Sequence, residues 1–435
     1  MQIRRHLIGF GRFVLFAFII ISINGCSLFQ SPFDYPLYPE EARYVGAIER
    51  YNNQVEGEII QDGNGGSLPT QAFAYQHLFL QGHYLFVGQC GLTIFDLALP
   101  EKPQLTGVYE GPCDIDDLFV VGDRAFLASR TNGVTVLNVS DISNPQLLTA
   151  YEEIRNSEMP TTSVIAYDNF VFWYTPISSD NQPTSSSEES VAYAGWYGEE
   201  PRLQILRLRE ENNGVYLELI QEVTGIGKPF AVGDGVFYAN APWQQDGDWH
   251  SSYLQSVRIG PDGRLDLADS ILINRTPSDL QLFNQMLFGA VGGYVMVWEV
   301  TQTGQLARLS EVYSRSPSIG PVASGQIGNF GYDIFVRDGI VVGSGYTLHY
   351  QRFANYIWMR PYARFHGRNA NCQVIGGNAD TICKSVIYGK SSARPLGNPV
   401  LYEGYIYTPY TLAESAPNFG EFTVLGYGVD IYSLP

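Results

Sequence analysis

Cationic residues and long apolar runs are scarce in this chain of 435 residues. Lysine and arginine number 26 against 44 aspartates and glutamates, for a formal net charge of −18. A surface of this sign repels nucleic acid and anionic lipid headgroups, so we expect neither as a ligand, and the charge favours solubility. The N-terminal apolar run, residues 13–23, is shorter than the roughly 20 residues of a membrane-spanning helix.

Catalytic and metal-binding motifs are missing as well. The chain has no G-x-S-x-G elbow, Walker loop, dinucleotide glycine pattern or H-E-x-x-H spacing, and its six histidines are spread along the sequence. Two Gly/Asp turns, at 62–66 and 246–248, have calcium-like spacing but lack the closing glutamate. We therefore expect no metal and no cofactor, and a binding protein rather than an enzyme. Carboxylates that only the fold brings together would escape this search.

Residues 1–25 have the features of a targeting segment, with arginines ahead of the apolar run. The following Ile23-Asn24-Gly25-Cys26 resembles the lipobox of bacterial lipoproteins, although Asn24 departs from its usual small or apolar residue. The resemblance implies cleavage before Cys26 and acylation of that cysteine, and Ser27 implies the outer membrane. The alternative is an ordinary secretory signal that ends near Cys26. Residues 26–40, with three prolines, are then a tether, and 41–435 a single domain.

The four remaining cysteines are Cys90, Cys113, Cys372 and Cys383. An even number in an exported chain indicates disulfide bonds. Three pairings are open, and proximity in sequence favours Cys90–Cys113 and Cys372–Cys383.

A 42-residue repeat organises the fold. Gly91, Pro103 and Tyr109 recur as Gly133, Pro145 and Tyr151, each 42 residues later and each in the same β-rich context. A period of this length carried by short strands predicts a β-propeller. The weaker units that follow bring the count to seven four-stranded antiparallel blades, and six or eight also fit.

The two ends of the chain complement each other. The segment around Val45 has the pattern of a last strand with no repeat before it, whereas residues 398–435 contain only the first three strands of a unit. We therefore expect the N-terminal strand to complete the last blade and close the ring, which removes the open edges.

The amino-acid sequence of the repeat is similar to that of a known family. Residues 91–105 and 133–147 resemble the LVIVD repeat, in which a hydrophobic strand ends in Asp and a Pro turn follows. The resemblance implies a propeller of a bacterial or archaeal surface and no catalytic residue. We interpret Asp96, Asn138 and Asp430, at the ends of third strands, as caps of these turns.

Two groups of residues are candidates for binding. Asp114, Asp116 and Asp117 enter the innermost strand of the second unit, although a solvated turn is the simpler interpretation. Aromatic residues in or beside the insertions favour a protein or sugar interface. These candidates are Trp196, Tyr197, Trp243, Trp249, Tyr356 and Trp358.

Two functions follow from these patterns. The first is a non-catalytic scaffold, lipid-anchored at the outer membrane on its periplasmic face or at the cell surface, that binds an envelope protein or a glycan through a loop-rich face. The alternative is an envelope glycan hydrolase or lyase with carboxylates at the central channel.

Overall fold

The computed structural model describes about three fifths of the chain, and all regular structure in these residues is β. The described residues are 43–49, 59–61, 77–112, 114–129, 132–153, 162–175, 202–211, 214–242, 252–273, 277–291, 294–313, 333–344, 348–354, 357–365, 373–375, 380–384, 386–388, 392–393, 398–415 and 421–434.

The first half of the chain forms two strands of the closing sheet and three complete sheets, blades 1 to 3. In blade order the innermost strand comes first and the outermost last. The strands are β1 Arg43–Glu49 and β2 Ile59–Gln61; in blade 1, β3 His77–Gln81, β4 Tyr84–Gln89, β5 Gly91–Asp96 and β6 Gln104–Glu110; in blade 2, β7 Ile115–Val121, β8 Arg124–Ser129, β9 Gly133–Asn138 and β10 Gln146–Tyr151; in blade 3, β11 Ser163–Tyr167, β12 Phe170–Thr175, β13 Arg202–Glu211 and β14 Gly214–Thr224.

The second half forms three more four-stranded sheets, blades 4 to 6, and the closing sheet. The strands are, in blade 4, β15 Lys228–Gly233, β16 Val236–Pro242, β17 Ser252–Ile259 and β18 Leu265–Ile273; in blade 5, β19 Asp279–Phe283, β20 Met286–Val291, β21 Tyr294–Val300 and β22 Leu306–Tyr313; in blade 6, β23 Asp333–Arg337, β24 Ile340–Ser344, β25 Leu348–Ala354 and β26 Ile357–Phe365; then β27 Gln373–Ile375, β28 Asp380–Lys384, β29 Val386–Tyr388, β30 Ser392–Ala393, β31 Val400–Tyr402, β32 Tyr405–Ser415 and β33 Glu421–Ser433.

The repeat has a steric basis at the first residue of the third strand. Gly91 has φ +84° and Gly133 has φ +89°, a region that favours glycine. A Cβ on either would lie 2.1 Å from the carbonyl oxygen of Tyr109 or Tyr151. The glycine therefore recurs because the backbone at the end of the paired fourth strand leaves no room for a side chain at the start of the third.

The ends of the chain pair as predicted. Strand β1 lies antiparallel to β33, with Gly46 opposite Ile431 and Ile48 opposite Val429. The innermost strands contact one another in the order β3, β7, β11, β15, β19, β23 and β31, and β31 contacts β3. The fold class, a β-propeller of antiparallel blades, is thus confirmed, together with its closure by the N-terminal strand.

The predicted count of seven regular blades is not confirmed, because six sheets have the four-stranded form. The closing sheet contains β31, β32, β33 and β1 but has seven strands in all. Strand β28 adds to β32 and β27 adds to β28, while β2 pairs with the first residues of β33. The long strands β32 and β33 extend beyond the usual blade, and this extension provides the edges for the added strands.

The core lies between adjacent blades. Between blades 2 and 3, for example, Phe126 and Val136 pack with Val164 and Trp173, all at most 2 % exposed. Each sheet therefore buries both faces against its neighbours, and this burial drives the assembly of the ring. Within the described residues no helix is long and apolar enough to cross a membrane.

Candidate functional site at the upper face

The two faces of the ring differ in the length of their chain connections. At the face that we call lower, two-residue turns join the innermost strand of each unit to the second strand. These turns are 82–83, 122–123, 168–169, 234–235, 284–285, 338–339 and 403–404, and each contains a residue with positive φ. At the upper face, where the innermost strands begin, residues 176–201 connect β12 to β13 and residues 314–332 connect β22 to β23.

Seven residues lie at the same distance in sequence from the lower-face turns, at the upper end of the innermost strands, although a bulge in β15 shifts the register at Pro229. Each lies five residues before the first residue of its lower-face turn, and together we call them the mouth ring. Three are acidic, and the residue just before Pro229 is Lys228. The mouth ring consists of His77, Asp117, Ser163, Pro229, Asp279, Asp333 and Asn398.

Asp117 connects blade 2 to blade 3. Its Oδ1 accepts the N–H of Leu118 at 2.9 Å, and its Oδ2 accepts the N–H of Val164 in the next blade at 3.0 Å. The hydroxyl of Ser163 donates to the same Oδ2 at 2.7 Å. His77 Nδ1 lies 3.7 Å from Oδ1, and both side chains are 25 % exposed. The carboxylate therefore satisfies backbone donors on both sides of the seam.

Asp279 repeats this arrangement between blades 5 and 6. Its Oδ1 accepts the N–H of Leu280 at 2.8 Å, and its Oδ2 accepts the N–H of Ile334 at 2.9 Å. Burial, together with the nearby carboxylate of Asp333, raises the pKa of Asp279 to about 8, against the opposing effect of its two N–H donors and of Lys228.

Two other members of the mouth ring make related contacts. Asn398 of the closing sheet exchanges two hydrogen bonds with the backbone of Leu78 in blade 1, accepting its N–H at 2.9 Å and donating to its carbonyl oxygen. The hydroxyl of Ser163 also lies 3.2 Å from the carbonyl oxygen of Pro229 in blade 4. The mouth ring thus joins blade to blade by side-chain bonds at the inner end of several seams.

The predicted acidic run is part of this system, and its interpretation as a solvated turn is wrong. Asp116 is 5 % exposed, and its Oδ2 accepts the N–H of Thr162 at 3.0 Å. Asp114 Oδ1 accepts the hydroxyl of Ser129 at 2.8 Å. Asp114 is thus held within blade 2, whereas the bulge in β7, between Ile115 and Asp117, allows the successive Asp116 and Asp117 both to accept from blade 3.

Three of the remaining predicted residues belong to the described part of the chain. Trp358 lies in β26 and Cys383 in β28. Cys90 is 6 % exposed and disulfide-bonded, but both favoured pairings stay predictions. The other predicted site residues lie outside the described ones: Cys26, Cys113, Cys372, Trp196, Tyr197, Trp243, Trp249 and Tyr356.

The predicted turn caps are confirmed at two of three positions. Asp96 Oδ1 accepts the N–H of Ala98 at 2.7 Å, and Asn138 Oδ1 accepts that of Ser140 at 2.9 Å. Asp430 instead lies inside β33, fully buried and opposite Thr408. The prediction was wrong there because β33 runs three residues further, to Ser433.

Sequence reasoning missed most of the mouth ring. Asp279, Asp333 and Asn398 belong to units whose sequences match the repeat weakly, so no alignment of units drew attention to them. The available signal was their constant distance from the lower-face turn. In the described part of the chain, no three or more His, Cys, Asp or Glu side chains are grouped to hold a metal ion.

Comparisons with known proteins found one family model and several solved structures that match this chain. A family model described as the LVIVD repeat matches residues 113–153. No curated protein matches the chain. BamB from Moraxella catarrhalis is 12 % identical, with a TM-score of 0.40, over 90 % of this chain and 97 % of that one. The periplasmic gluconolactonase PpgL of Pseudomonas aeruginosa is 13 % identical, with a TM-score of 0.44, over 83 % and 99 %.

A protein from Lactobacillus plantarum is 10 % identical, with a TM-score of 0.43, over 87 % of this chain and 99 % of its own. Residues 113–153, which form blade 2 and the segment that enters it, are thus an LVIVD repeat within a β-propeller.

Proposed function

We propose that this protein is a lipoprotein of the bacterial outer membrane whose propeller is a non-catalytic scaffold for an envelope or surface protein. The upper face is the proposed binding face, and a glycan is the other occupant to test. Binding proteins commonly place variable loops on a rigid framework, because loops can change without disturbing the core.

One observation carries the proposal: the asymmetry of the two faces. Every described lower-face turn between the first two strands of a unit has two residues, whereas insertions such as 176–201 enter and leave the ring at the upper face. Insertions placed by chance would occur at both faces. The predicted aromatic residues Trp196 and Trp243 belong to such upper-face connections.

Site-specific photocrosslinking in the native envelope tests the binding face. A photoreactive amino acid replaces Glu110 or Glu152, exposed residues at or beside the upper ends of β6 and β10. Matched controls replace Asp123 or Asn284, exposed residues of lower-face turns. We expect one discrete adduct from the upper positions only, with its protein component identified by mass spectrometry.

Equal adducts from both faces, or none from the upper face in any growth condition, contradict the proposal. An adduct that survives protease digestion but disappears after glycosidase treatment identifies a glycan instead of a protein.

Lipidation has a separate test. Growth with an alkyne analogue of palmitate should label the wild-type protein in the outer-membrane fraction, since the Ile23-Asn24-Gly25-Cys26 pattern implies acylation of Cys26. C26S should abolish the label, whereas C383S should keep it. Persistent labelling of C26S contradicts the anchor.

The alternative function, a glycan hydrolase or lyase, has one observation in its favour. The pKa of Asp279 is raised to about 8, as a general acid requires. However, both oxygens of Asp279 already accept backbone N–H groups that join two blades, and so do those of Asp117. These carboxyls are therefore occupied structurally. Release of reducing ends from envelope glycans, lost in D279N, would favour the enzyme.

A further inference from the structure

Three side-chain oxygens of blade 3 are buried without a hydrogen-bond partner. They are Thr162 Oγ1, Thr175 Oγ1 and Gln204 Oε1. These residues are 1 %, 0 % and 4 % exposed. Buried polar atoms of folded proteins nearly always have a partner, because an unpartnered one costs stability. Three such oxygens at one end of one sheet therefore indicate something that they hold.

All three side chains face blade 2. Trp173 lies opposite Gln204 in the register of β12 and β13, so both side chains are on the same face of the sheet. The Trp173 ring packs edge-on against Tyr151 of blade 2, with centroids 6.0 Å apart. Thr175 follows Trp173 by two residues and has the same orientation. Thr162 donates its N–H to Asp116 of blade 2.

Two carboxylates of blade 2 lie beside the residues that carry these oxygens. Asp116 Oδ2 lies 3.0 Å from the backbone nitrogen of Thr162, and Glu153 Oε2 lies 3.0 Å from Gln204 Nε2. Because a carboxylate only accepts, Gln204 must present its NH₂ group to Glu153, which leaves Oε1 to accept from something else. Glu222 also approaches Nε2, at 3.5 Å, and its charge is paired with Arg202.

The three unpartnered oxygens and the carboxylates of Asp116 and Glu153 thus share one chemistry. Two hydroxyl oxygens, an amide oxygen and two carboxylates are all hard oxygen donors, and among the described residues around them Arg202 is the cation, already paired. Calcium prefers six to eight oxygen ligands of mixed type, carboxylates, carbonyls and water included. A soft or octahedrally demanding metal would require sulfur, imidazole or stricter geometry.

We infer that this seam site between blades 2 and 3 binds a hard divalent cation of the calcium class. Its ligands are Thr162, Thr175 and Gln204 from blade 3, Asp116 and Glu153 from blade 2, and water. Such an ion would fasten the two blades beside the acidic end of β7. The inference is independent of the proposed function, since the ion can bind whether or not the upper face has a partner.

Calcium titration of the full-length protein in detergent, after treatment with a chelator, tests the site. We expect calcium to raise the Tm by at least about 2 °C. Terbium, which substitutes for calcium, should emit on excitation at 280 nm because Trp173 is on the same face as the ligands. The combined T162V/T175V variant keeps the shape of both side chains and should weaken calcium binding at least about tenfold.

The matched control is T408V. Thr408 Oγ1 is also buried and unpartnered, but it lies in the closing sheet. Without calcium both variants should have a Tm at or above that of the wild type, because each removes an unpartnered hydroxyl. With calcium only T408V should keep the full rise in Tm. No calcium response of the wild type, as when water fills the site, overturns the inference, and so does an unchanged affinity in T162V/T175V.

Discussion

Asp117 and Asp279 hold the same position in two seams and make the same pair of backbone bonds, yet their surroundings differ. Asp117 has a histidine and a serine hydroxyl within reach and is 25 % exposed at its side chain. Asp279 is 9 % exposed and lies near a second carboxylate, Asp333. Burial and the second carboxylate therefore raise the pKa of Asp279 and favour its neutral form.

This difference shows that the same hydrogen-bond geometry, repeated in two seams, does not give the two carboxylates the same contribution to stability. Backbone N–H donors lower the pKa of a carboxyl, but burial and a like charge oppose them. In the seam of blades 5 and 6 the opposing effects are larger, so that seam is expected to depend on pH, whereas that of blades 2 and 3 is held by more donors.

The largest expected effect is that of D117A. The change removes the acceptor for the N–H groups of Leu118 and Val164 and for the Ser163 hydroxyl. We expect the free energy of unfolding to fall by about 3 kcal/mol, measured by urea denaturation at pH 7. D279A should lower the free energy of unfolding by less at the same pH, because burial already makes the charged form of this aspartate unfavourable. A larger loss in D279A would reverse the comparison.

The pH dependence of the second seam is the next effect in size. Because the folded state raises the pKa of Asp279 to about 8, the folded protein holds a proton that the unfolded chain loses near pH 4. Its contribution to stability is complete below about pH 4 and is lost as pH rises to 8, by at most about 1.4 kcal/mol per pH unit.

Urea denaturation from pH 5 to 9 measures this slope. D279N should flatten it, and D333N should end the loss of stability at a lower pH and make the total loss smaller, since it removes the like charge that raises the pKa of Asp279. The S163A variant, which removes no titratable group, is the control and should leave the slope unchanged. A wild-type slope that persists in D279N assigns the effect to another group.

Loss of the Ser163 hydroxyl should have a moderate effect. It donates to Asp117 Oδ2 at 2.7 Å and lies 3.2 Å from the carbonyl oxygen of Pro229, so it connects three blades. We expect S163A to lower the free energy of unfolding by about 1 kcal/mol. In a double-mutant cycle with D117A the two losses should not add, because they share one bond. Strict additivity would show that the Ser163 hydroxyl and the Asp117 carboxylate do not stabilise the seam through a shared bond.

The smallest effect should come from H77Q. His77 Nδ1 is 3.7 Å from Asp117 Oδ1 and a quarter exposed, and partly solvated ion pairs contribute little. The expected loss is below about 1 kcal/mol and should shrink in 1 M salt, measured by thermal denaturation. A loss as large as that of D117A would make the histidine the main partner of the aspartate.

Local features of the fold were readable from the sequence because they depend on neighbouring residues. Gly91 and Gly133 recur because a side chain there would strike the following strand. Asp96 and Asn138 cap turns two residues ahead of them. Ring closure was also readable, since the pattern around Val45 supplies the strand that residues 398–435 lack, and Gly46 indeed pairs with Ile431.

Contacts between blades were not readable in this way. Asp117 accepts a hydrogen bond from the N–H of Val164, 47 residues away in sequence, and Asp279 accepts one from Ile334, 55 residues away. No spacing rule predicts such pairs when the connections between blades vary in length. The same limit explains why Thr162, Thr175 and Gln204 had no signal as a group, since strand register and blade packing bring them together.

The amino-acid sequence by itself determined the repeating unit and its turns, because these follow from steric and hydrogen-bonding demands within about 40 residues. It also determined the pairing of the two chain ends, because each end carries the part of a unit that the other lacks. Only the tertiary structure decided which carboxylates join neighbouring blades, how burial sets their charge, and that the closing sheet grows beyond four strands. Those outcomes depend on distances between blades. Because the loops that connect the blades vary in length, the separation of two residues in sequence does not predict such distances.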